Sequence, residues 1–199
     1  MKRSLIVMIA VLASGICLSP SSAIAQQALV VKPLAEKKVT ALPTGPLFWR
    51  LENFSALSQA QAAAGPMGLA AESGGKAWLF TLGPEGGSSA GGTKVAEVGP
   101  LPRVVATQYL LRINEAGGPP GSITTVHTHP GCEAFYVLAG EQSIRTPQGM
   151  IHVKAGQPET GPGGDTPLQV SSSGSTDLHA LVMFVVDATK PFSSPAKFP

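Results

Sequence analysis

The stretch Gly121-Ser-Ile-Thr-Thr-Val-His127-Thr-His129-Pro-Gly-Cys-Glu133-Ala-Phe-Tyr-Val-Leu-Ala-Gly140 decides how this chain reads. Side chains alternate between the two faces of a strand, so His127 and His129, two positions apart, project to the same side. Pro130-Gly131 turns the chain, and Glu133 opens the next strand. Antiparallel pairing of the two strands is expected to return Glu133 to both imidazoles, with Phe135, Val137 and Ala139 continuing inward as an apolar wall. Two neutral imidazole nitrogens and one carboxylate form the donor set of many non-haem iron centres, and the set also suits manganese or zinc. The expected metal ligands are therefore His127, His129 and Glu133. The competing reading is a metal-free barrel in which the three side chains hydrogen-bond one another, since burying them unpaired is costly.

Downstream and upstream of this block the chain is turn-rich. Strands are expected at 94–98, 103–113, 122–129, 133–139, 142–146, 150–154, 167–171 and 178–186, separated by Gly/Pro turns that include Glu115 to Gly121 and Gly156 to Gly164. Short strands at such spacing suit a sandwich or barrel rather than a parallel sheet, which needs long crossovers. Before them, residues 26–46 read as an extended arm and 76–82 (KAWLFTL) as a buried strand. A short covering helix is expected at 55–64, capped by Asn53 or Ser55 and stopped by Gly65-Pro66. Gly83 to Gly92 reads as a flexible loop by composition. Of 199 residues, 23 are Gly and 18 Pro, which argues against a helical bundle. With 43% hydrophobic and 13% charged residues, the chain is also too apolar for a disordered protein.

The central block resembles the first motif of the cupin superfamily: Gly, five residues, His-x-His, three or four residues, Glu, six residues, Gly. Gly121, His127, His129, Glu133 and Gly140 meet this spacing without a gap. The resemblance covers about half the chain, roughly Lys94 to Val186. It implies an all-β fold, a double-stranded β-helix or jelly-roll barrel whose mouth holds a metal and a small ligand. The expected organisation is then a leader at 1–25, an N-terminal extension with its short helix at 26–93 and the barrel at 94–199.

The second cupin motif is incomplete. Its pattern is Gly, five residues, Pro-x-Gly, two residues, His, three residues, Asn. Gly156, Pro162 and Gly164 fit it, but Pro167 falls in the histidine slot and Ser171 in the asparagine slot. A shift of one residue puts Leu168 where many cupins have the histidine of a Pro-His pair. Other candidates for a fourth ligand are Gln169, a weak carbonyl donor, and His152 and His179, both read foremost as structural or surface histidines. Cys132 neighbours Glu133 but by alternation points the other way.

The first 25 residues read as a secretory signal: Lys2-Arg3, an apolar run from Leu5 to Leu18, a polar break, and Ala23-Ile24-Ala25 before a cleavage site at Gln26. Cys17 is read as part of the apolar run, since bulky Ile16 precedes it. Periplasmic or secreted localisation follows, with no membrane partner after cleavage. Without Lys2 and Arg3 the chain has twelve basic and twelve acidic residues and no basic stripe, so a nucleic-acid partner is not expected. Cys132 is then the one remaining cysteine, and no internal disulfide can form. The expected function is an exported protein binding a divalent metal (Fe, Mn or Zn) in a barrel mouth. That site would act as a metal-dependent oxygenase or isomerase on a small molecule, or as a non-catalytic module that captures a small ligand or metal. A homodimer partner is consistent with either reading, and the sequence leaves catalysis open.

Overall fold

The computed structural model describes residues 27–199; the leader expected at 1–25 lies outside them. Fourteen strands and one helix follow in order: β1 (Val30–Val39), β2 (Phe48–Phe54), α1 (Leu57–Ala63), β3 (Gly68–Ser73), β4 (Lys76–Gly83), β5 (Thr93–Val98), β6 (Tyr109–Gly118), β7 (His127–Thr128), β8 (Gly131–Ala139), β9 (Glu141–Thr146), β10 (Gly149–Lys154), β11 (Pro158–Thr160), β12 (Gln169–Ser172), β13 (Leu178–Asp187) and β14 (Ser194–Pro195). No helix among the described residues is long and apolar enough to cross a membrane.

A five-stranded antiparallel sheet, β1-β6-β13-β8-β11, is the centre of the molecule. Its middle strands are buried on both faces, and alternation sorts their side chains into two cores. Leu181, Met183 and Val185 of β13, with Cys132, Ala134 and Tyr136 of β8, face a core shared with Trp49, Leu51, Trp78 and Phe80. Ala180, Val182, Phe184 and Val186 of β13, with Phe135 and Val137 of β8, face the opposite core with Ile144, Val153, Leu168 and Val170. That second core is the barrel interior. Its other wall is the three-stranded sheet β10-β9-β12, and β7 pairs with β14 at the mouth. The fold is all-β, a cupin-like double-stranded β-helix. The two glycines that bracket the first motif, Gly121 and Gly140, adopt φ of 85° and 74°, a region that only glycine enters without strain.

The outer core is closed by a second antiparallel sheet, β3-β4-β2-β5, with α1 against it. Pairing crosses the 93/94 position in both directions. β1, read from sequence as part of an arm, is the edge strand of the barrel's central sheet, whereas β5 pairs with β2 of the extension. The helix forms at 57–63 with Ala56 at its N-cap and no side-chain cap; neither Asn53 nor Ser55 caps it, and Ser55 Oγ instead donates to Gln59 Oε1 at 2.6 Å. The loop from Gly83 to Gly92 is tied down despite its composition. The buried Glu52 carboxylate accepts from Ser89 N and Ser89 Oγ, both at 2.7 Å, and Arg50 Nη1 donates to Gly86 O at 3.0 Å. Burial alone would raise the Glu52 pKa, but the bonds from Ser89 and Arg50 outweigh it and hold the carboxyl below its ordinary range.

Candidate functional site

His127 and His129 reach the barrel mouth by a route that differs from the expected hairpin. β7 pairs with β14 and, through His127, with Leu168; it does not pair with β8. The peptide of His127 exchanges both hydrogen bonds with Leu168, N to O at 3.0 and 2.9 Å. The chain then turns at Pro130 and enters β8, which lies between β13 and β11 in the opposite sheet. The two imidazoles and Glu133 are thus brought together across the barrel.

The imidazoles are set by backbone carbonyls. His127 Nδ1 lies 2.8 Å from Thr125 O, and His129 Nδ1 lies 2.7 Å from Phe192 O. A carbonyl only accepts, so each Nδ1 carries a proton, and in the neutral form of each ring Nε2 is the nitrogen with the lone pair. This is the outer-shell arrangement that orients metal-binding histidines. The His127 and His129 rings meet edge to face with centroids 5.0 Å apart. His129 is buried between Phe184 and Phe192 at 4.9 and 4.7 Å. Burial is the main cause that pushes its pKa down to about 4, so the ring is neutral at pH 7.

Glu133 is 4% exposed, and its Oε1 has no hydrogen-bond partner. Burial raises its pKa to about 8. Its Oε2 lies 3.9 Å from His129 Nε2, too far for a direct hydrogen bond. Two ligands on one ion at about 2.1 Å each would stand roughly 3.0–3.5 Å apart, so the pair needs to close by about 0.4–0.9 Å. Among the described residues no three His, Cys, Asp or Glu side chains already surround one metal position. The donor chemistry fits a divalent metal, while the third donor, His127, is adjacent rather than convergent. Loop residues after β11 enclose the carboxylate. Gly161 N donates to Glu133 O at 2.9 Å, and a Cβ on Gly161 would come within 2.6 Å of Glu133 Cγ. Nothing in the motif pattern singled out Gly161.

The other sequence candidates are sorted by facing. Leu168, directly opposite His127 in an antiparallel pair, shares its face and packs in the barrel core. Gln169 Nε2 donates to Thr124 O at 3.0 Å. His152 is held by Ser143 Oγ at 2.9 Å and Glu141 Oε1 at 3.2 Å on the outside of β10. His179 binds the Glu115 carboxylate and Ser73 Oγ at the junction with the N-terminal sheet. Cys132 faces the outer core as alternation predicts, and burial pushes its thiol up to about 12. Ala139 does not continue the inner wall. It is the last residue of β8, beside an irregularity in the β8–β13 register between His179 and Ala180, and it is exposed.

The cavity at the mouth has a volume of about 280 Å³. Leu29, Ala116, Phe135, Val170, Val182 and Phe184 make most of its wall, and both histidines, Glu133 and Asn114 open into it. Phe192 and Ser193, from the segment after β13, close one side. Asn114, 3% exposed, was missed by sequence reasoning because it lies in β6, far from either motif.

The barrel mouth thus carries two Nδ1-protonated histidines and a buried carboxylate. No protein-family model matches the chain, and no curated protein matches its sequence. Among solved structures, the chain is similar to a cupin-like protein from Thermotoga maritima at 15% identity and a TM-score of 0.39, over 44% of this chain and 65% of that one. It is similar to a Klebsiella pneumoniae protein with a double-stranded β-helix domain at 20% identity and a TM-score of 0.38, over 44% and 75% of the two chains. A polyketide cyclase from Streptomyces resistomycificus matches at 20% identity and a TM-score of 0.37, over 45% of this chain and 62% of that one. Function has to be argued from the site, because a fold does not imply an activity.

Proposed function

We propose that this chain is an exported protein that holds one divalent metal through His127, His129 and Glu133 and uses it to bind a small molecule in the barrel mouth. The observation that carries the reading is the pair of Nδ1–H···O=C bonds from His127 and His129, which leave Nε2 of each neutral ring available, that of His129 3.9 Å from the buried Glu133 carboxylate. His129 is neutral at pH 7 and needs no deprotonation to ligate. Glu133 ionises on binding, and the ion's charge replaces the solvation that burial denies it. When bound, the metal supplies Lewis acidity and open positions for an oxygen-bearing ligand. The apolar wall excludes water and the segment carrying Phe192 limits access from one side.

Metal analysis of the purified protein tests the reading: about one equivalent of Fe, Mn or Zn is expected. Absence of metal after supplementation overturns it. Oxygen-uptake and isomerisation assays with small phenolic and diketone compounds then separate an oxygenase or isomerase from a non-catalytic binding module.

The facing of Leu168 leads to a further expectation. A hydrocarbon side chain cannot donate a lone pair, so the protein supplies three ligands. Leu168→His puts a third imidazole, and a fourth ligand, opposite His127 and is expected to tighten metal binding by about tenfold or more, as a chelator competition would read. Unchanged affinity would show that this position does not reach the ion.

Export rests on the Lys2-Arg3 start, the apolar run and Ala23-Ile24-Ala25. N-terminal sequencing of exported protein is expected to begin at Gln26. Recovery of the intact chain from the cytoplasm alone would refute export.

A further inference from the structure

We infer that the ligand captured at the mouth is a neutral, single-ring molecule carrying a hydroxyl, and that Asn114 reads this hydroxyl. The inference rests on the binding site proposed above but uses a residue outside its metal-binding set. Asn114 is nine-tenths and more buried, lines the same cavity as Glu133, and its Oδ1 has no hydrogen-bond partner. Buried amide oxygens are nearly always satisfied in folded proteins, so an orphan acceptor on a cavity-lining side chain marks a place for a donor from outside the chain. An acceptor selects a hydroxyl or N–H over an ether of the same size and shape.

Shape and charge narrow the class. The cavity of about 280 Å³ is larger than the ~150 Å³ apolar cavity that takes up benzene, and so has room for one substituted ring. Phe135, Phe184 and Phe192 provide faces and edges for such a ring. No Lys or Arg lines the cavity, which leaves an anionic substituent without a partner among these side chains. The Arg112 guanidinium does not line the cavity and lies behind the Phe192 ring. It stacks 4.4 Å from the centre of the Phe192 ring, and its Nε lies 3.6 Å from Glu36 Oε2.

Ligand-observed NMR with phenol, anisole and benzoate tests this on the purified protein, once metal-loaded and once stripped with chelator. In the stripped protein phenol is expected to bind about tenfold or more tightly than anisole, which keeps the ring but lacks the donor, and more tightly than benzoate. Asn114→Leu should bring phenol and anisole within about twofold while leaving the metal content of the loaded protein unchanged. Equal binding of phenol and anisole to the wild type, preference for benzoate, no binding of any probe at millimolar concentration, or persistence of the preference in Asn114→Leu would each overturn the assignment. The wild-type comparison stands even if the variant fails to fold. The two readings fail separately: a metal-free protein that still prefers phenol removes only the metal, and a metal-bound protein without the preference removes only the role of Asn114.

Discussion

Replacing His127 and His129 together with Ala is expected to lower bound metal from about one equivalent to less than about a tenth, with the β-type circular dichroism retained. The size of the effect follows from what remains. Glu133 alone offers one carboxylate in an apolar cavity, and a single monodentate ligand does not hold a divalent ion against water. The fold should survive because neither imidazole belongs to the barrel core, which is built by Phe135, Val137, Ile144, Leu168 and the inner face of β13. His129 sits among Phe184 and Phe192, so its truncation leaves a cavity, whereas the half-buried His127 ring leaves little. Metal content is measured by elemental analysis on protein of verified secondary structure. Undiminished metal in the double variant would show that the ligands lie elsewhere.

The second large effect is a dependence of stability on pH that metal removes. In metal-stripped protein the Glu133 pKa is raised from 4.5 to about 8, so the folded state keeps a proton that the unfolded chain has lost. Stability from this group is fully present below pH 4.5 and is lost as pH rises toward 8. His129 works in the opposite sense. Its pKa falls from 6.5 to about 4, so its contribution is present above pH 6.5 and is lost as pH falls through that window. The slopes oppose each other between pH 4.5 and 6.5, and only that of Glu133 remains between 6.5 and 8. Stripped protein is expected to lose about 2 kcal/mol across that upper interval, roughly 5 °C in Tm. Glu133→Gln should flatten the upper interval and leave the His129 slope unopposed between pH 4.5 and 6.5, so that stability there falls more steeply with acid than in the stripped wild type. Saturating metal should flatten it as well, because the ion stabilises the carboxylate. Thermal melts of the three samples at pH 6.5, 7.2 and 8 provide the check. A stripped wild type with no decline would show that Glu133 is ionised without metal.

The strands around the site were legible where alternation and turn residues agreed. Those at 131–139, 141–146, 149–154, 169–172 and 178–187 fall within two residues of the sequence reading. β6 did not: it runs from Tyr109 to Gly118 rather than 103–113. Glu115-Ala-Gly-Gly has turn composition, but Gly117 lies so close to β13 that a Cβ would stand 2.8 Å from Leu178 O. β1 was hidden because it is an edge strand with Pro33 at its register shift and charges at four of ten positions, so it carries little alternation. β2 was hidden by Arg50 and Glu52, whose charges serve the loop at Ser89 and are buried by it. At the site, residue types and facing were readable from the spacing of His127, His129 and Glu133. The groups that orient them were not: the Thr125 and Phe192 contributions are backbone carbonyls, which any residue supplies.

The central sheet also constrains how the molecule is made. Its neighbours β1, β6 and β13 come from the beginning, middle and end of the described chain, so no contiguous half of the sequence contains that sheet. Glu133, on β8, is enclosed only after β13 has arrived, and His129 is oriented only after Phe192 has followed it. Pairings so distant along the chain put this topology among the slower folders, in milliseconds to seconds. During synthesis the growing polypeptide therefore cannot complete its central sheet before its last twenty or so residues appear. The site at the barrel mouth is therefore the last part of the molecule to be assembled, after both β13 and Phe192 have emerged.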